Sequence, residues 1–396
     1  MLQYNGNYFV RTVFNMLRFF TAGETHGPCL TAIVEGMPSG VKIDIDRINA
    51  ELKRRQAGYG RGGRMKIETD RAEILSGVRG GYTLGSPITL RINNKDWENW
   101  QEIMGAEFSN GERSVTCPRP GHADLSGGMK YNHTDLRNVL ERASARETAA
   151  RVAVGALVRQ FIEQFGIELK SRVVRIGEIE DRCENADNAF YERVYASEVG
   201  FGDIDAEKEC KAYIDCLKEH GRTVGGVVET VVSGLVPGIG SYVHYDRKLD
   251  AKIASAVMSI QAIKGVEFGM GFDVGKVDGG KVQDEILYNN GYTHQTNNAG
   301  GIEGGMTNGE PIIVRAAMKP IPTQYNPLKT VDIISKKETL ASVERSDICA
   351  VPACAVVVES AVAFEIANAF LEKFGGDCVE DIKAAYESYT DRIKKF

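Results

Sequence analysis

The apolar positions of the chain fall into short strand-like runs, helical runs and glycine-marked turns. Leu17 to Thr21 and Leu30 to Glu35 read as strands, separated by the turn-rich Gly23-Glu-Thr-His-Gly27. Gly36-Met-Pro-Ser-Gly40 is a turn by its glycines and proline. Ile45 to Gln56 has helical apolar spacing and ends at the glycine-rich Ala57-Gly-Tyr-Gly-Arg-Gly-Gly-Arg64. Gly77 to Arg91 is a glycine turn feeding a strand. The longest helical pattern runs from Asp135 to Phe165, approached through Arg119-Pro-Gly-His-Ala-Asp124 and a glycine turn at Gly127-Gly128. An acidic segment from Gly177 to Gly221 reads as surface helix and loop. Prolines force Lys319-Pro-Ile-Pro-Thr323 into an extended path. Val331 to Arg345 is mixed and polar, and Ser360 to Phe374 predicts an amphipathic helix stopped at Gly375-Gly376.

The pattern then repeats. Gly301 to Arg315 matches Gly77 to Arg91 in register through its glycines, Thr, Pro-Ile and final Arg. Upstream, Val227 to Gly240 matches the earlier strand and turn, 246–260 matches the earlier helix, and Gln261-Ala262 falls where Gln56-Ala57 falls. All of these in one order predict an internal duplication, two strand-turn-helix-strand units about a pseudo-twofold axis. The expected fold class is α+β, one domain over 16–396. Its repeat halves cover about 17–92 and 222–315, with a central helical segment 119–221 and a C-terminal segment 316–396. Residues 1–15 are read as a dispensable extension. Where the first half has His26 and Arg54-Arg55, the second has Val224 and Ser259-Ile260, which predicts one asymmetric site between two similar scaffolds.

Composition narrows the function. With 43% hydrophobic and 26% charged residues, the 396-residue chain is of soluble globular type. Its net charge of −6 argues against nucleic-acid and anionic-membrane partners, so any positive patch is local and serves a small anion. The eight cysteines show no CxxC and no metal spacing, as expected of reduced, cytoplasmic thiols and no metal site. No apolar run is expected to reach the ~18 residues of a membrane span. Met1 to Phe20 is a poor signal peptide, being interrupted by Arg11, Asn15 and Arg18.

Three stretches could carry chemistry. Arg119 to Arg151 presents His122, the hydroxyls of Ser144-Ala-Arg-Glu-Thr148 and the guanidiniums of Arg137, Arg142, Arg146 and Arg151, a plausible anion-binding wall. The competing reading is a solvated helix face whose arginines pair with Glu141, Glu147 and Glu163. Arg54 to Arg64 sets four arginines among four glycines, where backbone can approach a phosphate and guanidinium can grip it. Among six histidines, His26 and His122 sit in glycine-flanked loops beside an acid or arginine, which suits acid–base work. Asp347 in Arg345-Ser-Asp-Ile-Cys349 reads by itself as an ion pair, and Cys349 as a small buried hydrophobe. No GxGxxG or GxxxxGK[ST] fingerprint follows a strand.

Taken in order, Arg18-Phe-Phe-Thr-Ala-Gly-Glu-Thr-His-Gly27, Arg54-Arg-Gln-Ala-Gly-Tyr-Gly-Arg61, Arg119-Pro-Gly-His-Ala-Asp124, Ser144-Ala-Arg-Glu-Thr148, Gly300 to Gly305, Lys319-Pro-Ile-Pro-Thr323 and Arg345-Ser-Asp347 resemble the chorismate synthase family. The resemblance implies a β-α-β sandwich, a homotetramer and reduced FMN as cofactor. It also implies anti-1,4-elimination of phosphate from 5-enolpyruvylshikimate 3-phosphate. By the same resemblance His26 protonates the departing phosphate, His122 protonates the reduced flavin, and Asp347 helps the flavin N5 take the C6 proton. FMN contacts carried over are Ser144, Ala145, Arg146, Gln261, Ala262, Gly304, Lys319, Pro320, Ile321, Pro322, Thr323 and Arg345. Arg55 and Arg61 match positions linked to NADPH in the family, a possible reductant here; with Arg119 and Arg151 they are expected to serve the substrate's phosphate and carboxylates. An external source of reduced flavin is expected. Three departures are visible: Thr25 for a common Ser, Ile348 for a frequent Pro, and Ala353-Cys354 for a common Arg-Ala. Two alternatives are a flavin enzyme performing net redox, disfavoured by the missing nicotinamide fingerprint, and a phospho-ligand or RNA-binding module, disfavoured by the acidic balance.

Overall fold

The structure, a computed structural model, describes residues 17–63, 69–183, 187–344 and 346–396. The extension 1–15, Arg64 and Arg345 lie outside the described residues. Antiparallel strands β1 (Arg18–Ala22) and β2 (Cys29–Glu35) open the fold. Helix α1 (Ile45–Gln56) has the bounds its spacing predicts and is capped by the Asp44 carboxylate, which accepts from the Asp46 N–H. Strands β3 (Ala72–Ile74) and β4 (Ile88–Asn93) complete a sheet of order β1-β2-β4-β3. Leu30, Ala32 and Val34 of β2 and Ile88, Leu90 and Ile92 of β4 are buried while their neighbours are not, so one face of the sheet meets the core.

The predicted helix over 135–165 is broken. After α2 (Asp124–Tyr131), α3 (Arg137–Ala143) stops at Ser144, whose backbone is extended. The Ser144 hydroxyl accepts the Arg146 N–H, a 3-10 turn follows, and α4 (Thr148–Ile162) starts afresh. A hydroxyl that bonds nearby backbone offers the chain an alternative to the helical ladder, and here it interrupts the helix. The expected turn at Gly127-Gly128 lies within α2. A Cβ on Gly127 would stand 2.5 Å from Val139, and one on Gly128 2.5 Å from Leu136, so these glycines serve close packing against α3.

The second sheet comprises β5 (Glu168–Ile176), β6 (Ile179–Glu180), β7 (Gly226–Ser233), β8 (Ile263–Phe268) and β9 (Ile312–Met318), in the order β8-β9-β7-β5-β6. Helices α5 (Asn188–Ala196) and α6 (Ile204–Glu219) fill the acidic segment, and α7 (Leu249–Met258) follows β7. Strand for strand, β5-β7-β9-β8 repeats the pairing order β1-β2-β4-β3. In each half a helix follows the second of these strands and a short hairpin, Val78–Arg79 with Tyr82–Thr83 or Ile302–Glu303 with Met306–Thr307, precedes the third.

Between the sheets lie the helices. α4 packs on β2, β4 and α1, and α8 (Val351–Phe374) packs on α4, β5 and β7. α8 starts nine residues before the predicted amphipathic helix, is apolar on nearly every side, and by length and composition is long enough to cross a membrane. That overturns the expectation of no such run. The helix is buried between the two layers, which is why it needs no polar face. Its buried Glu359 accepts hydrogen bonds from Arg54 of α1, Arg159 of α4 and Ser171 of β5, tying the layers together.

Candidate active site

A cavity of about 740 Å³ is lined by the β1–β2 loop, the end of α1, the broken α3–α4 joint, the α7–β8 turn, the proline segment and the start of α8. His26 stands in its wall. The His26 Nδ1 lies 2.8 and 3.1 Å from the two oxygens of buried Glu141, which also accepts the His26 backbone N–H at 2.8 Å. Burial pushes the Glu141 carboxyl up, but the hydrogen bonds and charge of His26 and the Arg137 guanidinium more than offset this and hold it below the ordinary value. A carboxylate only accepts, so Nδ1 carries its proton and Nε2 is the nitrogen for exchange. The imidazole stacks on Trp100, with centroids 3.8 Å apart and planes 15° apart; the Trp100 N–H donates to Asp96 at 3.2 Å. Arg113 and Arg137 lie over the same indole.

His122 is built alike. Its Nδ1 lies 2.6 Å from Asp124, a carboxylate fully buried at the start of α2. Burial raises the Asp124 pKa, yet the bonds from His122 and Arg119 dominate and drive it far below the carboxylate range. Arg119 spans the group: Nε donates to Asp124 at 2.8 Å, Nη1 to Thr323 at 3.0 Å, and Nη2 lies 3.1 and 3.3 Å from the two His122 nitrogens, beside the ring.

Arg55 and Arg146 meet at Asp70. Arg146 binds both Asp70 oxygens at 2.6 and 2.7 Å and the Asn94 carbonyl at 2.8 and 3.0 Å. Arg55 reaches Asp70 at 3.4 Å, Thr148 at 2.9 Å and the Ala145 carbonyl at 2.9 Å. Burial, with repulsion from Arg146 and Arg61 and against the pull of Asp70, lowers the Arg55 pKa to about 10, so it stays charged at neutral pH. Asp347 accepts the Gly62 N–H at 2.6 Å and pairs with Arg61 at 3.2 Å. The expected ion pair with its neighbour Arg345 lies outside the described residues.

Across from these, Gln261 donates through Nε2 to Glu147 at 3.4 Å, while its Oε1 is buried without a partner among the described residues. Ala262 takes a left-handed φ of 68°, uncommon for a residue with a side chain and a mark of a constrained site. Lys319 donates to the Gly121 carbonyl, linking the proline segment to the His122 loop.

The cavity thus brings together His26, His122, Asp347, Arg55, Arg61, Arg119, Ser144, Ala145, Arg146, Gln261, Ala262, Lys319, Ile321, Pro322 and Thr323. Pro320 and exposed Gly304 are not among its lining residues. Arg151 lines a second hollow instead, bonded to Glu147 at 3.0 and 3.1 Å and to Ser259 at 2.7 Å. Asp70, Asn94, Asp96, Trp100, Arg113 and Glu344 escape the sequence reading. Asp70 and Asn94 stand 76 and 52 positions from their partner Arg146, so no local spacing marks them. The 96, 100 pairing was the one local signal, an acid four residues before an indole.

The sequence pattern of the family described as chorismate synthase matches residues 17–371. The chorismate synthase of Geobacter sulfurreducens is 56% identical over 393 residues, covering 96% of this chain and 100% of that protein. That of Streptococcus sanguinis is 55% identical over 388 residues with the same coverage. A solved structure titled "Crystal Structure of Chorismate Synthase" superposes with a TM-score of 0.78 at 44% identity, covering 96% of this chain and 99% of that one.

Proposed function

The chain belongs to the chorismate synthase family, and from that membership we propose how its cavity performs the family's reaction. The chain is a lyase: it eliminates phosphate from 5-enolpyruvylshikimate 3-phosphate to give chorismate in the shikimate pathway of aromatic biosynthesis. One observation carries the proposal, the convergence of His26, His122 and Asp347 on a single cationic cavity. Among the described residues, eight lysine and arginine side chains line it against the carboxylates of Asp96, Glu344 and Asp347. In a chain of net charge −6, this concentrates positive potential where a phosphate and two carboxylates must bind.

His26, with Nδ1 committed to Glu141, offers the Nε2 proton to the departing phosphate oxygen. His122, anchored at Nδ1 by Asp124, holds a proton at Nε2 toward the cofactor. Asp347, fixed by the Gly62 N–H and Arg61, is the carboxylate that assists loss of the C6 proton. Arg55, Arg61 and Arg119 hold the substrate anions. The lining fits FMN in three respects: room for a ring system beside the substrate, guanidinium and ammonium groups for its phosphate, and the buried acceptor on Gln261 for a ring N–H. Ser144, Ala145, Arg146, Gln261, Ala262, Lys319, Ile321, Pro322 and Thr323 would hold it. Reduced flavin, when bound, lends electron density to the breaking C–O bond and recovers it, so the reaction is redox-neutral.

The matching strand orders support a duplicated unit about a pseudo-twofold axis. We carry over from the family a cytoplasmic homotetramer and an external source of reduced flavin, with NADPH as a candidate reductant. Anaerobic phosphate release from the enolpyruvyl substrate tests the reading. Release is expected with reduced FMN and absent with oxidised FMN; equal release with both refutes it.

A further inference from the structure

Glu147 lies in the 3-10 turn behind the cavity wall, outside the lining of the main cavity and on the wall of the second hollow. Its buried carboxylate accepts from Thr21 Oγ1 at 2.7 Å, from Arg151 Nε at 3.0 and 3.1 Å, and from Gln261 Nε2 at 3.4 Å. Burial would raise its pKa, but the Arg151 charge and the Thr21, Arg151 and Gln261 bonds lower it, so it is ionised at neutral pH. An ionised carboxylate can only accept, whereas an amide has a donor end and an acceptor end. The charge on Glu147 therefore draws the NH₂ end of Gln261 to itself and turns Oε1 the other way, where it is buried in the lining without a partner among the described residues.

A buried acceptor left unmet is costly, and in native proteins it marks a group awaiting a ligand or water. The turn that carries it is fixed: Ala262 sits at φ 68° and its carbonyl accepts the Lys319 N–H at 2.9 Å. The second hollow explains Arg151. It points away from the cavity and, held by Ser259, clamps Glu147 from behind.

We propose that Glu147 is a positioning residue: held by Thr21 and Arg151, it fixes the Gln261 amide so that Oε1 presents an acceptor to a ring N–H donor of the bound cofactor. This rests on the flavin reading above, in which the donor is the imide N–H of the isoalloxazine ring.

The test compares the affinities of FMN and N3-methyl FMN, which lacks that donor, by flavin fluorescence titration of the full chain. Wild type is expected to bind the methylated flavin roughly ten- to a hundredfold more weakly, the loss of one buried hydrogen bond. In Glu147→Gln the neighbouring amide can donate as well as accept, so Gln261 is free to invert. FMN then binds more weakly and the gap between the two flavins narrows to a few-fold. Thr21→Val loosens the same carboxylate and should narrow the gap less; it carries the comparison if Glu147→Gln does not fold. Equal weakening of both flavins with the gap intact would make Glu147 merely structural and overturn the proposal, as would a wild type that does not distinguish them. A wild type that binds neither flavin refutes the cofactor reading itself, and the assignment falls with it.

Discussion

Each proposed acid in the cavity is a histidine whose Nδ1 is pinned by a buried carboxylate, Glu141 for His26 and Asp124 for His122. That arrangement leaves Nε2 as the exchanging atom in both, and a positioned acid of this kind supplies about 10²- to 10⁴-fold in rate. His26→Ala and His122→Ala should each lower turnover by that order with reduced FMN still bound. Rates like wild type in either, measured anaerobically with saturating cofactor, would remove that residue from the chemistry. Arg61→Ala should chiefly weaken apparent substrate affinity, and an unchanged KM would count against its role. The histidines drew attention through their glycine-flanked loops, whereas Asp347, by itself an ion pair, entered only through the family resemblance. Arg151 was read as a substrate group with pairing to Glu147 as the competing reading, and the pairing is what the structure holds; that Arg151 faces away from the cavity depends on how α4 packs, which spacing does not encode.

At the level of elements, the isolated strands and α1 follow from local pattern, whereas the misread ones are set by their neighbours. The Ser144 hydroxyl breaks a helix that apolar spacing joins, and two glycines that look like a turn lie inside α2 because α3 presses on them. α8 hides its true length because a helix buried on all sides loses the polar stripe by which helices are recognised. α8 and α4 touch backbone to side chain: a Cβ on Gly155 would lie 2.4 Å from the Ser360 Cβ and 2.6 Å from its Cα. Gly155→Ala should therefore destabilise by about 1–3 kcal/mol, read as a lowered urea midpoint at constant slope. Also on α8, burial pushes the Glu365 carboxyl up to about 7, with Lys252 opposing. The raised value means the folded state favours the protonated form. Its stability is complete below the ordinary carboxylate pKa and is lost as pH rises toward about 7, by up to about 3 kcal/mol. Glu365→Gln should raise the Tm at pH 8 and leave it nearly unchanged at pH 4.5; no difference between the two pH values would contradict the burial argument.

For the molecule as a whole, the two sheets share one strand order and enclose one helix layer, and the cavity takes residues from both halves and from the segments between and after them. Matched glycines and prolines anticipated the shared strand order, and Val224 in the place of His26 anticipated that the two halves differ in their polar groups. The polar scaffold behind the site was not visible, since Asp70, Asn94 and the Glu141 bond to His26 depend on the central segment packing against the first half. On the proposed function, this one hollow holds cofactor and substrate together. The crystal structure of the ternary complex with FMN and the enolpyruvyl phosphate substrate tests it most directly. Both ligands are expected in the cavity, with the substrate phosphate within about 3 Å of His26 Nε2 and a flavin ring N–H on Gln261 Oε1. Either ligand bound elsewhere, or a substrate phosphate turned away from His26, would contradict it.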